Sequence, residues 1–248
     1  MVHTLATDPF DGILLVDKPA DYTSHDVVAK VRRHFNLKKV GHGGTLDPSA
    51  TGLLILLLGK ATRYSGYFLS SDKTYEGVMR LGTVTDSYDA DGTVVGGSDP
   101  SAVTREQVEL EMAKFKGDLY QTPPMISAVK INGVPLHKRA RRGEEEVERK
   151  PRFIHIYEFR MTGFQSPESS FILRCTKGTY VRSLCHDIGQ ALGCGAILAN
   201  LRRTQSGISR IQDALPLERI IALDRTALVD VVIPLHRLTS LPGGPRPL

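Results

Sequence analysis

The stretch KVGHGGTLDPSATGLLILLLGKATR, residues 39–63, decides how this chain is read. It opens as a glycine-dense loop, Gly41-His42-Gly43-Gly44-Thr45-Leu46-Asp47-Pro48. Glycine admits backbone conformations that other residues avoid and lets a second molecule approach closely. Pro48 pushes Asp47 toward an extended conformation. The apolar run Leu53-Leu54-Ile55-Leu56-Leu57-Leu58 follows between Gly52 and Gly59. It is too short to span a membrane, and it predicts a strand buried on both faces. One carboxylate therefore sits on a shaped loop tied to the core, the way rigid scaffolds present reactive groups. An aspartate before proline also starts ordinary turns. The glycine and turn rules leave those two readings level.

Composition narrows the function classes. The chain has 248 residues, enough for one large domain or two small ones. Its 41% hydrophobic content suits a globular core. The net charge of +5 fits a nucleic-acid partner without requiring one. No basic start is followed by an apolar run near the N-terminus, so no signal peptide is expected and a cytoplasmic location is. No membrane association is expected either. The three cysteines, Cys175, Cys185 and Cys194, form no CxxC pair, and the eight histidines form no HExxH. Neither a disulfide framework nor a zinc site is expected. Walker and dinucleotide fingerprints are absent from the sequence, so no cofactor is expected.

Working outward, residues 11–19 read as a short buried strand stopping at Pro19. Lys18 is either its solvated end or a cation facing a phosphate or carboxylate. Ser24 reads as the cap of a helix running to about Phe35, with Val27, Val28, Val31 and Phe35 on one face. YEGVMRLG, from Tyr75, alternates as a strand. Residues 86–92 lack the ligand spacing of a calcium loop, and Asp91-Gly92 fits a hairpin turn. Thr104 and Gln107 make a capping box for a helix to about Lys116. Residues 121–152 change character: the basic cluster Lys138, Arg139, Arg141, Arg142 precedes four glutamates. That is either a solvated insertion with self-paired charges or an arm that grips phosphates. Two strands follow, over 154–164 and 170–175. KGTYVRSL, residues 177–184, leads into a helix through Leu192. Arg182 sits near that helix's start, where a cation opposes the macrodipole and wants a partner. Leu201-Arg202-Arg203 comes next, then one helix over 217–228 and a tail, LPGGPRPL, expected to be disordered.

The string GHGGTLDPSATGLL resembles the central motif of the TruB family of pseudouridine synthases. Lys18-Pro19, the K-x-Y of Lys73 and Tyr75, KGTYVRSL and Leu201-Arg202-Arg203 match further family motifs, so the resemblance covers roughly residues 11–207. It implies an α+β pseudouridine synthase fold. That means a mixed, largely antiparallel central sheet, flanking helices, a catalytic cleft and a thumb insertion at about 121–152. Residues 1–213 would form the catalytic domain, and 214–248 a short extension in place of a full PUA domain. The implied reaction converts uridine 55 in the T loop of tRNA to pseudouridine. The base is flipped out, detached from N1 and rejoined through C5, without cofactor or metal. Asp47 would be the nucleophile. Arg182 would pair with it, and Tyr75 would stack on the uracil as a candidate base for a sugar proton. Tyr180, Leu201 and Lys18 would line the pocket, and His42 would fill the gap left by the base. Lys138, Arg139, Arg141 and Arg142 would grip the tRNA. A monomer needing no protein partner is expected. An RNA-folding module, a guide-RNA-dependent synthase and a carboxylate glycosidase are the competing classes. The last would usually need a second carboxylic acid.

Overall fold

The expected buried strand is present as Thr51–Leu58, with every residue after Thr51 buried. The structure is a computed structural model. It describes residues 8–127, 130–131, 133–136, 139, 148–240, 242 and 244–246. Of the tail read as disordered, 241, 243, 247 and 248 lie outside the described residues. The elements run β1 Gly12–Lys18, α1 Ser24–His34, β2 Val40–His42, β3 Thr51–Leu58, α2 Ser65–Ser70, β4 Lys73–Leu81, β5 Val84–Thr85, β6 Val94–Gly96, α3 Arg105–Ala113 and β7 Gly117–Gln121. The short strands β8 Lys130–Ile131 and β9 Val134–Pro135 follow. Then come β10 Arg152–Gln165, β11 Glu168–Cys175, α4 Val181–Ala191, β12 Ala196–Ser206, β13 Ser209–Arg210, β14 Leu215–Pro216, α5 Leu217–Ile221, α6 Arg225–Val231, β15 Ile233–Pro234 and α7 Leu235–Ser240.

The chain forms two units, Met1–Lys73 with Arg202–Leu248, and Thr74–Leu201. The first carries the glycine loop. Its strands order as β14–β1–β3–β12. β1 pairs β3 antiparallel, while β14 on β1 and β12 on β3 are parallel, so the sheet is mixed. Each Leu or Ile buried here contributes roughly 1.5–3 kcal/mol relative to exposure. Ile13, Leu15, Leu53, Ile55, Leu57 and Phe68 pack as one cluster. Gly52 is required where β12 crosses β3. Its φ is +95°, and a Cβ there would lie 2.4 Å from the Arg203 carbonyl oxygen.

The second unit orders its strands β4–β11–β10–β7, with β10 antiparallel to both neighbours. Met79, Val108, Met112, Ile154, Ile156, Phe171, Leu173, Leu184 and Ile188 share one core, supplied by these strands together with α3 and α4. Cys175, Cys185 and Cys194 are buried and form no disulfide. Burial pushes the Cys185 thiol far above its ordinary range. Gln121 and Arg152 are register partners, so the chain leaves the sheet at Gln121 and returns to it beside that point at Arg152.

Three local expectations are corrected. The cap of α1 is Thr23, whose hydroxyl accepts from Asp26 N while Asp26 accepts from Thr23 N. Ser24 is thereby released for another task. α3 ends at Ala113, ahead of Gly117. The helix expected over 217–228 is two, because Asp224 accepts from the amides of Thr226 and Ala227 and starts α6 afresh.

Candidate active site

Asp47 is half-buried in the loop between β2 and β3. What distinguishes this loop is its anchorage. Gly44 O accepts from Arg203 Nη2 at 3.1 Å, and Thr45 O from Arg203 Nη1 at 3.2 Å. Leu46 is held at both ends by Ser24, its carbonyl accepting from the hydroxyl at 3.2 Å and its amide donating to it at 2.8 Å. Asp47 O accepts from Ala50 N at 3.2 Å. Pro48 O accepts from Lys18 Nζ at 2.9 Å and from Asp21 N at 3.1 Å. Five successive carbonyls are thus tied down, and the carboxylate projects from a backbone with few alternatives.

Lys18 is fully buried at the end of β1. Its ammonium spends three donors on Pro19 O, Tyr22 O and Pro48 O. Burial lowers its pKa to about 8, against the opposing pull of Asp21 and Asp47. Between pH 8 and the unfolded value of 10.5 the unfolded chain therefore holds more protons at this position, and stability rises with pH. The stability of the wild type relative to Lys18→Met is expected to be flat below pH 8 and to climb from there to pH 10.5, read from urea midpoints. A flat difference throughout would remove this account of Lys18.

His42 ends β2 half-buried, its ring edge-on to His25 at 5.1 Å between centroids. Burial, then His25 and Arg203, lower its pKa, so the ring is neutral at pH 7. Gly44 N donates to its Nδ1 at 3.4 Å, which leaves the proton on Nε2. Arg203 is 2% exposed and turned onto the loop. Its neighbour Arg202 makes a bidentate pair with Asp17 at 3.0 and 2.7 Å.

In the second unit, Tyr75 lies half-buried on β4 and Leu201 on β12, both packed against the core. Tyr180 occupies the position before α4 and is fixed at both backbone atoms by one buried side chain. Its amide donates to Gln121 Oε1 at 2.7 Å, and its carbonyl accepts from Gln121 Nε2 at 3.0 Å. Arg182 is 5% exposed. Its guanidinium donates to Ser87 O and Ile126 O, each at 2.9 Å, and lies 3.4 Å from Asp89 Oδ2. Asp89 in turn accepts from the Ser87 hydroxyl at 2.5 Å and from Asp91 N at 3.1 Å. Burial raises the Asp89 carboxyl, with the Ser87 hydrogen bond and Arg182 opposing. The helix-start arginine thus has a partner in the acidic turn.

Lys138, Arg141 and Arg142 lie outside the described residues. Arg139 donates from Nη2 to Ile131 O at 3.2 Å. The sequence reading missed Ser24, Asp89 and Gln121 as holders of site residues. Ser24 and Asp89 had a signal, a second capping residue beside Thr23 and an acidic turn, whereas Gln121 had none. Among the described residues no helix is long and apolar enough to cross a membrane.

Comparison with known proteins agrees with these motifs. Residues 32–181 match the family model of the TruB family pseudouridylate synthase N-terminal domain. Residues 182–240 match that of the tRNA pseudouridylate synthase B C-terminal domain. A protein of Opitutus terrae named tRNA pseudouridine synthase B is 56% identical over 227 residues, covering 92% of this chain and 94% of that protein. One of the same name from Syntrophotalea carbinolica is 47% identical, over 85% of this chain and 68% of that one. A solved H/ACA ribonucleoprotein bound to a substrate RNA containing 2′-deoxyuridine includes a chain 27% identical, with a TM-score of 0.68. The match covers 92% of this chain and 60% of that one, so this chain spans about three fifths of its length. A family model matched across the glycine loop and beyond, and a relative this similar along nearly its whole length, show that the chain belongs to the TruB family of pseudouridylate synthases.

Proposed function

We propose that the chain isomerises uridine 55 in the T loop of tRNA to pseudouridine, as a cytoplasmic monomer. The observation that carries the proposal is the anchorage of five successive carbonyls around Asp47, which holds one carboxylate on a fixed loop in a chain whose relatives are named tRNA pseudouridine synthase B. Residues 1–213 form the catalytic body in this reading, and 214–248 an extension.

The target base is stacked in the folded loop and is flipped out before reaction. Asp47, ionised, acts as the nucleophile or steadies charge on the sugar as the N1–C1′ bond breaks. Arg182 supplies the cation that favours ionisation. The detached uracil turns, C5 bonds to C1′, the C5 proton leaves, and N1 takes up a proton. Tyr75 and Tyr180 stack on the uracil, each such contact being worth roughly 1–3 kcal/mol. Leu201 walls the pocket. A neutral His42 can fill the space the base vacates without placing charge in a stack of bases. Lys18 acts through the loop it holds, and Lys138, Arg139, Arg141 and Arg142 contact phosphates.

Release of tritium from a T-arm RNA carrying 5-tritiated uridine tests the reading, because the C5 hydrogen is displaced when the new C5–C1′ bond forms. Release at that uridine is expected. Tight binding without release would instead make the protein an RNA-folding module. Tyr75 is assigned the sugar C2′ proton, which it takes as the N1–C1′ bond breaks and returns as C5 bonds to C1′, so Tyr75→Phe is expected to slow single-turnover release at least about 100-fold while keeping affinity. Near-normal release by that variant would remove Tyr75 as the base.

A further inference from the structure

One face of the second unit's sheet carries an uncovered aromatic row. Along β10, Phe153, His155 and Tyr157 alternate with the buried Ile154 and Ile156, so they point to the opposite face from the core. Tyr120 of β7 stands directly across from Phe153, their rings edge-to-face at 5.8 Å. Tyr120 is 77% exposed, Phe153 59% and Tyr157 43%. The Arg174 guanidinium from β11 lies over the Tyr157 ring at 4.9 Å. Gln121, next to Tyr120, points the other way and clamps Tyr180, so the row and that clamp occupy opposite faces of β7.

Rings left in water on a sheet need an occupant that supplies flat apolar surface. The local charge says which kind. The exposed Arg174 lies against the row, and the exposed Lys150 and Arg152 precede Phe153 at its edge. The acidic groups beside it are already engaged, Asp118 by His155 at 2.5 Å and Glu158 by Arg160 at 2.7 Å. A second copy of this face would set like charges against each other. A polyanion with stacking bases meets both the rings and the cations.

We propose that Tyr120, Phe153 and Tyr157, with Arg174, form a stacking platform for unpaired RNA nucleotides. It rests on the RNA-modifying reading above, and it adds a contact outside the base pocket. The two platform rings on β10, Phe153 and Tyr157, stand four residues apart, about 13 Å along the strand and so room for a base against each, while His155 between them packs its ring on Tyr157 at 4.6 Å.

The test compares wild type, the double variant Tyr120→Ala with Phe153→Ala, and Leu110→Ala, which removes a side chain on α3 that is 62% exposed. Three RNAs are titrated at fixed salt: an unstructured single strand, an isolated T stem-loop and an unmodified full tRNA. The double variant is expected to bind the single strand at least about tenfold more weakly than wild type or Leu110→Ala. It should isomerise the T stem-loop at the wild-type rate. A parallel loss on full tRNA would locate the unpaired nucleotides in the substrate itself, whereas loss on the single strand alone would locate them in a different RNA. Unchanged single-strand affinity overturns the proposal. So does a wild type that sediments as a dimer, with a monomeric double variant whose single-strand affinity is unchanged. That pair of results would make the row a self-association surface. A wild type that fails on every T-loop substrate would sink the catalytic assignment, and the single-strand titration would still decide the platform by itself.

Discussion

Asp47→Asn is expected to lower pseudouridine formation at least about a thousandfold while leaving tRNA affinity within a few-fold of wild type. The asparagine is close in size and removes only the negative charge. The loop should not move, because its holders bond to backbone atoms: Arg203 to Gly44 and Thr45, Ser24 to Leu46, Lys18 to Pro48. A fall in rate would therefore report on the carboxylate and not on a displaced backbone. Single-turnover tritium release and filter binding on the same preparation separate the two. A rate within tenfold of wild type would mean that the reaction does not need an ionised group at this position, and the catalytic assignment would go with it.

The second large effect is on the fold. Arg203→Met is expected to destabilise the protein by roughly 3 kcal/mol, because the buried carbonyls of Gly44 and Leu53 and the part-buried carbonyl of Thr45 lose their donors together. The adjacent Arg202→Met should cost no more than about 1 kcal/mol, since its pair with Asp17 is partly exposed. Urea unfolding of the two variants side by side is the measurement. Equal losses would mean that the Arg203 bonds are replaced by water, and that the loop is less tightly held than its geometry implies. The Arg203 variant should also lose turnover beyond its loss of stability, because the backbone carrying Asp47 slackens.

Sequence reasoning succeeded where one local rule dominates. The run from Leu53 to Leu58 had to be buried whatever the fold, and Thr104 with Gln107 had one capping geometry available. It failed where two residues could do one job. Thr23 and Ser24 are both good caps, and only the structure shows that Thr23 takes the role while Ser24 reaches across to Leu46. It also failed where an interaction is distant in sequence. Nothing near Arg182 announces Asp89, and nothing in Leu201-Arg202-Arg203 says that one guanidinium turns inward and the other outward. The glycine loop was legible as an unusual segment, but physics alone left Asp47 level between a turn and a reactive group. The family motif, not the residue chemistry, tipped it.

The three buried thiols have a use of their own. All lie in the unit Thr74–Leu201, none is exposed, and Cys185 is held in its unreactive protonated form. An alkylating reagent can reach them only when that unit opens. They are therefore a built-in clock for breathing of one half of the molecule, readable by mass spectrometry without a label or a mutation. RNA that clasps this unit should slow the clock, while ligands confined to the other half should leave its rate unchanged.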